Sequence, residues 1–393
     1  MPPLPLPSRH SAPPSWQHWR LSAWYFFYFA FIGAFAPYFT LYLQSLGLAA
    51  PAIGTLMSLM LAMRLVAPNL WGWLSDRLGR KALVVQVSAV LSVAGFLTFF
   101  FATGFWGLFA GMALMSFFWS ASLPLVEAMT LRHLEGRAEH YGRIRLWGSV
   151  GFIAAVLGTG AWLDRAPLVS LLWVNLALLI GIVVCAWLLA DVHVSRSGDT
   201  SIDLRSGLMR PEVLALLAAC FFMSAAHGPF YVFYSIHLVD HGYGKTAVGA
   251  LWSLGVVAEI AVFIAMPRLV QAWSVQTILR VSLLLAVMRF LLIGWAADSV
   301  VLLLVAQVMH GATFGAYHAA AVAALNRWFP ARHQARVQAL YGSISFGAGG
   351  MLGNLVSGAA WESLGPGLTF SLGSGLAAVG LLLTWRGMAR TAA

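Results

Sequence analysis

Five ionisable residues stand inside long apolar runs of this chain: Arg64, Glu127, Arg145, Glu259 and Arg289. An ionised side chain at the centre of hydrocarbon costs at least about 2.5–3.5 kcal/mol, so such groups turn inward and are functional candidates. Three cations against two acids leave one cation over when both acids are ionised, a complement for an anionic ligand. Glu127 and Arg145 fall near the same ends of consecutive runs and are expected to pair, as a structural link, a ligand site, or both. Arg64 and Glu259 occupy matching positions of two similar segments, which makes them symmetric without making them touch. Glu259 suits proton carriage, because a buried carboxyl exchanges its proton when a neighbouring cation such as Arg145 or Arg289 is drawn away. The alternative is a fixed ion pair. His227, His310 and His318 lie near the middle of runs, where imidazole serves either proton relay or plain packing. Gly311 and Gly315 leave room around His310. Tyr25, Tyr28, Tyr38, Phe39, Tyr231 and Tyr234 are aromatic enough to line a cavity, or to pack.

Other chemistries lack their residues. No Gly-rich phosphate loop with Lys-Ser/Thr occurs, so ATP is not expected as a driver. FGAGGMLGN has neither the spacing nor the strand context of a dinucleotide site and reads as close helix packing. There is no nucleophile elbow or zinc motif. Cys185 and Cys220 lie in apolar segments without a second ligand nearby and read as small core residues. Neither cofactor nor metal is expected.

The elements that carry these residues follow from composition. Of 393 residues, 60% are hydrophobic and 9% charged, against about 25% charged in soluble domains. The apolar runs are long and do not alternate, so they are helices rather than barrel strands. They run Leu21–Leu43, Ala52–Leu74, Ala82–Thr103, Phe105–Leu131, Tyr141–Leu163 and Pro167–Ala190. After a polar stretch come Pro211–Val239, Ala247–Met266, Thr277–Ala297, Val300–Leu325, Val337–Trp361 and Gly367–Trp385. The expected organisation is a Pro-rich tail (1–20), a six-helix bundle (21–190), a linker (191–210) and a second six-helix bundle with a short tail (211–393). GTLMSLMLAMR (Gly54–Arg64) aligns on GALWSLGVVAE (Gly249–Glu259), and YGRIRLWG (Tyr141–Gly148) on YGSISFGA (Tyr341–Ala348). The offsets, 195 and 200 residues, are near half the chain, the mark of a parallel duplication with a site between the halves.

The net charge of +10 does not form a nucleic-acid patch, because the cations sit singly between runs. With the N-terminus in the cytoplasm, 18 of the 23 Lys and Arg fall on the cytoplasmic side, two (Arg165 and Lys245) outside, and three within spans. That bias puts both termini in the cytoplasm. The N-terminal segment has no continuous apolar stretch and is no signal peptide.

GWLSDRLGRK (Gly72–Lys81) resembles the major facilitator loop signature, Gly-x-Leu-x-Asp-Arg-x-Gly-Arg-Lys. The resemblance implies that Gly72, Asp76, Arg77, Gly79 and Arg80 form a conformational gate. In that family the acid locks the bundles in the outward-facing state, and Gly72 is expected to permit close packing. Tyr25–Leu48, Arg64–Arg77 and Leu254–Ile260 are similar to the phenylpropionate permease group, a relative of lactose permease-like symporters. Gly142–Phe152 also resembles the fifth-helix segment of those symporters. By that resemblance Arg145, with Glu127, holds substrate, Phe152 stacks on it, and His310 matches the relative's tenth-helix His. From their place inside apolar runs, Arg64 and Tyr28 are expected to join the substrate site, and Glu259 and Arg289, with His310, to carry coupling. The seventh helix has no carboxylate, and Thr313 stands where the relative has an essential acid, so the proton route does not transfer whole. The expected function is proton-coupled import of a small aromatic carboxylate across a bacterial inner membrane by a monomer. A sugar or nucleoside is the alternative cargo; a membrane enzyme or sensor would need a catalytic cluster or a soluble appendage, and the sequence has neither.

Overall fold

The computed structural model describes residues 15–134, 140–191 and 205–388. Among them every regular element is helical. The first half comprises α1 (Ser15–Ser45), α2 (Ala50–Leu78), α3 (Lys81–Leu97, extended by a 3-10 turn), α4 (Gly104–His133), α5 (Tyr141–Leu163) and α6 (Ser170–Trp187). A single turn, Arg205–Leu208, precedes the second half. There follow α7 (Pro211–Asp240), α8 (Lys245–Ala272), α9 (Val275–Trp295), α10 (Val300–Trp328), α11 (331–364) and α12 (Pro366–Gly387). Residues 1–14 of the expected tail and 192–204 of the expected linker lie outside the described residues.

Eleven of these helices are long and apolar enough to cross a membrane. The exception, α11, carries Gly347, Gly349, Gly350, Gly353, Asn354 and Gly358 where its neighbours carry Leu and Val. Its small residues serve contact rather than lipid: a Cβ on Gly353 would lie 2.3 Å from the Ala225 carbonyl oxygen of α7, and one on Gly358 2.9 Å from the Ala50 carbonyl oxygen of α2. Small residues let helices approach where hydrophobicity supplies no preference.

Breaks have local causes. In α7 the helix interrupts at His227, just before Gly228 and Pro229. Proline has no N–H to donate and its ring crowds the carbonyl four residues back. Two π-helical stretches, Gly311–Ala316 in α10 and Ser343–Gly349 in α11, contain glycines at close helix contacts: a Cβ on Gly311 would lie 2.6 Å from the Ala258 carbonyl oxygen of α8. Gly79 ends α2 in the left-handed region, φ 65°, with its N–H on the Ser75 carbonyl, a conformation glycine adopts at no steric cost.

Helices α1–α6 pack among themselves, as do α7–α12. The bundles meet where α2 lies on α11, α5 on α8 and α1 on α7. The first two contacts exchange under the sequence repeat, so the halves are related by a pseudo-twofold. Call the side where α1 begins and α12 ends the terminal face, and the other the far face. In the far half a Cβ on Gly54 would stand 2.7 Å from the Asn354 carbonyl oxygen, and one on Gly249 2.7 Å from that of Val156. Toward the terminal face, a Cβ on Gly72 or Gly142 would meet nothing within 4 Å.

Candidate transport site

Four of the five charged residues inside the helices, Arg64, Glu127, Arg145 and Glu259, act on one another across the bundle interface. Arg145 reaches from α5 so that its guanidinium lies 3.8 Å above the ring of Phe29 and 5.7 Å from that of Tyr25, both on α1. Gly148, one turn on, leaves the space: a Cβ there would fall 2.7 Å from Arg145 Nη1. An aromatic face attracts a cation through its quadrupole without neutralising it. Arg145 therefore keeps its charge available.

The expected pair is not closed. Among the described residues, no ion pair within 4.0 Å joins Glu127 to Arg145. Glu127 accepts instead from Tyr141 Oη at 3.4 Å. Arg145 still acts electrostatically on Glu127, and on Glu259 of the other bundle. Arg64 acts on Glu127, Tyr28 and Tyr231. These four charged groups are half-buried and share one field across the bundle interface. Glu259 packs against α10, its Cγ 3.2 Å from where a Cβ on Gly315 would stand.

Arg289 and His310 belong to a second cluster, wholly inside the α7–α12 bundle. Arg289 is 0% exposed; its Nε donates to the Ala306 carbonyl at 2.9 Å, and its guanidinium lies 4.2 Å over Phe230. Among the described residues Nη2 has no partner, nor has His310 Nδ1, while Tyr234 and Gln307 meet side chain to side chain. His227 and His310 are 6.2 Å apart, ring to ring. The Met223 carbonyl only accepts, so His227 Nδ1 donates to it, at 2.8 Å, and the unpartnered Nε2 is the open acceptor. Buried polar atoms without partners are rare and call for an account. Glu259 acts with Arg145 rather than with Arg289, so the three residues expected to couple protons divide between the two clusters.

The remaining expectations differ in detail. Tyr28 is stacked on Trp24 at 4.8 Å and on Trp119 at 4.6 Å and is 1% exposed, so its ring is packing and offers no free face to a ligand. Phe152 is half-buried, its backbone fixed against Gly33 of α1. Tyr38 places its hydroxyl 2.8 Å from the Val156 carbonyl and 3.1 Å from that of Lys245, bridging the bundles rather than lining a cavity. Gly72 packs against nothing in this state. Asp76 is exposed and forms no hydrogen bond or ion pair among the described residues, Arg77 lies over its own helix's Trp73 at 5.5 Å, and Arg80 approaches Asp191 at 3.8 Å. The five signature residues thus surround one turn without bridging the bundles. Sequence reasoning missed Gln307, although it sits one turn before His310 inside an apolar run. It also missed Asp164 and Glu362, at the far ends of α5 and α11. No cluster of metal ligands occurs among the described residues.

Two pseudo-symmetric six-helix bundles with charged groups held at their interface define a polytopic membrane transporter. The sequence pattern of the MFS_1 like family matches residues 18–372, and the chain belongs to that family. It is 29% identical over 361 residues to the "Probable 3-phenylpropionic acid transporter" of Escherichia coli (strain K12), covering 88% of this chain and 92% of that one. It is 28% identical to the "Maltose permease" of Geobacillus stearothermophilus, over 91% of each. Its fold matches a crystal structure of the nucleoside transporter NupG with a TM-score of 0.84, at 16% identity, over 95% of this chain and all of that one.

Proposed function

We propose that this chain is a proton-coupled symporter that imports a small aromatic carboxylate, of the 3-phenylpropionate type, across a bacterial inner membrane, working as a monomer. The observation that carries this reading is Arg145: a half-buried guanidinium on an aromatic face, with no carboxylate of the described residues within ion-pair distance. A ligand with a carboxylate and a ring matches both features, since a planar guanidinium binds carboxylate bidentately. The likeness to the phenylpropionic acid transporter supports the same cargo.

With the termini in the cytoplasm, the far face is external and this is a state closed to the outside. Substrate reaches Arg145 from whichever side is open, and the bundles rock about it. Substrate carboxylate drawing Arg145 from Glu259 shifts the proton affinity of that acid, which links cargo to proton. Arg64 and Glu127 hold the field on the opposite side. Arg289 and His310, with His227, form the polar interior through which a proton or water exchanges. The gate residues Gly72, Asp76, Arg77, Gly79 and Arg80 engage when the terminal face closes. The likeness to a maltose permease supports a second reading, symport of a sugar or nucleoside.

Uptake of labelled 3-phenylpropionate into proteoliposomes, with and without an inward proton gradient, tests the proposal. Gradient-dependent accumulation, competed by aromatic acids and not by maltose or nucleosides, is expected. Folded protein that accumulates maltose or a nucleoside instead, under the same gradient, overturns the carboxylate reading in favour of the second.

A further inference from the structure

On the far face each bundle caps a helix of the other. Asp164, at the end of α5, accepts from Lys245 N at 2.7 Å, Thr246 N at 2.9 Å and Thr246 Oγ1 at 2.5 Å, the first residues of α8. Glu362, near the end of α11, accepts from Ala50 N at 2.7 Å, the first residue of α2. Helix N-termini present N–H groups with no partner in their own helix, and a carboxylate is their favoured cap. Neither helix supplies one: α2 begins after Ala49 and α8 after Gly244, and neither has a side-chain cap of its own. The cap comes from across the interface in both cases. The sequence separations, 198 residues between the acids and 195 between the capped positions, are close to the 200 and 195 of the internal repeat.

The terminal face is built differently. There Asp191 accepts from Ala82 N at 2.7 Å, which caps α3 from the end of α6, inside one bundle. The same chemistry therefore joins bundles on the far face and not at this terminal-face site. Beneath the far-face caps the helices touch backbone to backbone at Gly54 and Gly358, and at Gly249 and Val156. Bundles that part on this side must give up both caps at once.

We infer that Asp164 and Glu362 are paired positioning residues for transport, a two-point carboxylate latch between bundles that holds the far face shut and sets how often it opens. The inference is independent of cargo. Because the two caps are related by the repeat, each bears a share, and loss of both opens the face more than loss of either.

The test reads accessibility rather than uptake. Ser253 and Ser58 lie one turn inward of Gly249 and Gly54 on the corresponding helix faces and are buried. In protein whose own buried cysteines, Cys185 and Cys220, are changed to Ala, Ser253→Cys reports far-face opening to a membrane-impermeant maleimide in right-side-out vesicles. Asp164→Ala and Glu362→Ala should each raise the labelling rate several-fold, and the double variant more than either. Asp164→Asn, which keeps one accepting oxygen, should fall between Asp164→Ala and the parent. Asp191→Ala, the loss of a cap inside one bundle, should not raise the rate. Unchanged labelling in the double variant overturns the inference. So does an equal rise with Asp191→Ala, which would report general loosening.

Discussion

At the scale of single residues, the decisive feature is which charges are left without contact. Arg145 rests on Phe29 instead of closing on Glu127, so the attraction between these two is kept in reserve. Replacing Arg145 with Lys keeps the charge but loses the planar fork and most of the ring contact. Interactions of this kind are worth about 0.5–2 kcal/mol, so ligand affinity measured by calorimetry should fall roughly tenfold. Glu259→Gln removes the exchangeable proton while keeping shape; accumulation driven by a proton gradient should vanish while exchange of labelled for unlabelled ligand persists. Accumulation that survives would move coupling to the Arg289–His310 cluster. The charged positions were legible from sequence, because a charge within an apolar run is a local anomaly. Their pairing was not. The distance from Glu127 to Arg145 depends on where Gly148 and Phe29 let the guanidinium lie, and the burial of Tyr28 on Trp24 and Trp119 is equally a matter of tertiary packing.

At the scale of helices, glycine decides which pairs come close. A Cβ at Gly151 would stand 2.2 Å from the Phe26 carbonyl oxygen, so Gly151→Ala forces α5 from α1. Overpacking of this size costs about 1–3 kcal/mol, and thermal unfolding of purified protein should shift down by several degrees; an unchanged midpoint would mean the contact yields freely. The latch makes a statement about pH. Asp164 stands just outside its span. Slight burial works against its charge, but bonds from the Thr246 side chain and from the Thr246 and Lys245 N–H groups outweigh that, and hold its carboxyl below the ordinary 3.8. A depressed acid contributes fully above the ordinary value and is lost as pH falls through the lowered one. Paired spin labels on the far ends of α5 and α8 should therefore report a constant distance at neutral and mildly acidic pH, and separation only below 3.8. Each cap contributes about 1 kcal/mol at most in so exposed a place. That suits a contact which must break at every cycle.

At the scale of the whole molecule, the twelve helices and the repeat were readable because hydropathy and self-similarity are properties of the chain itself. The state of the molecule was not. That the bundles press together at Gly54 and Gly249 while Asp76 is exposed is a fact about one conformation. From the loop signature a gate was expected; that its residues do not bridge the bundles in this conformation is visible only in the structure.

The sparse hydropathy of α11 bears on how the protein is made. A helix enters the bilayer by its own partitioning only when its side chains favour lipid enough to offset its polar groups. Gly, Ser and Asn in the middle of α11 spend its apolar capacity on fit against α2 and α7. Such a segment is expected to enter as a guest of helices already in place, whereas α12 is long and apolar enough to cross without them. In a glycosylation-based insertion assay, α11 presented alone should cross the membrane far less often than α12 alone, and should be rescued when the helices before it precede it in the chain. The helix that seats one half against the other at α2 is thus also the one least suited to enter the membrane by itself.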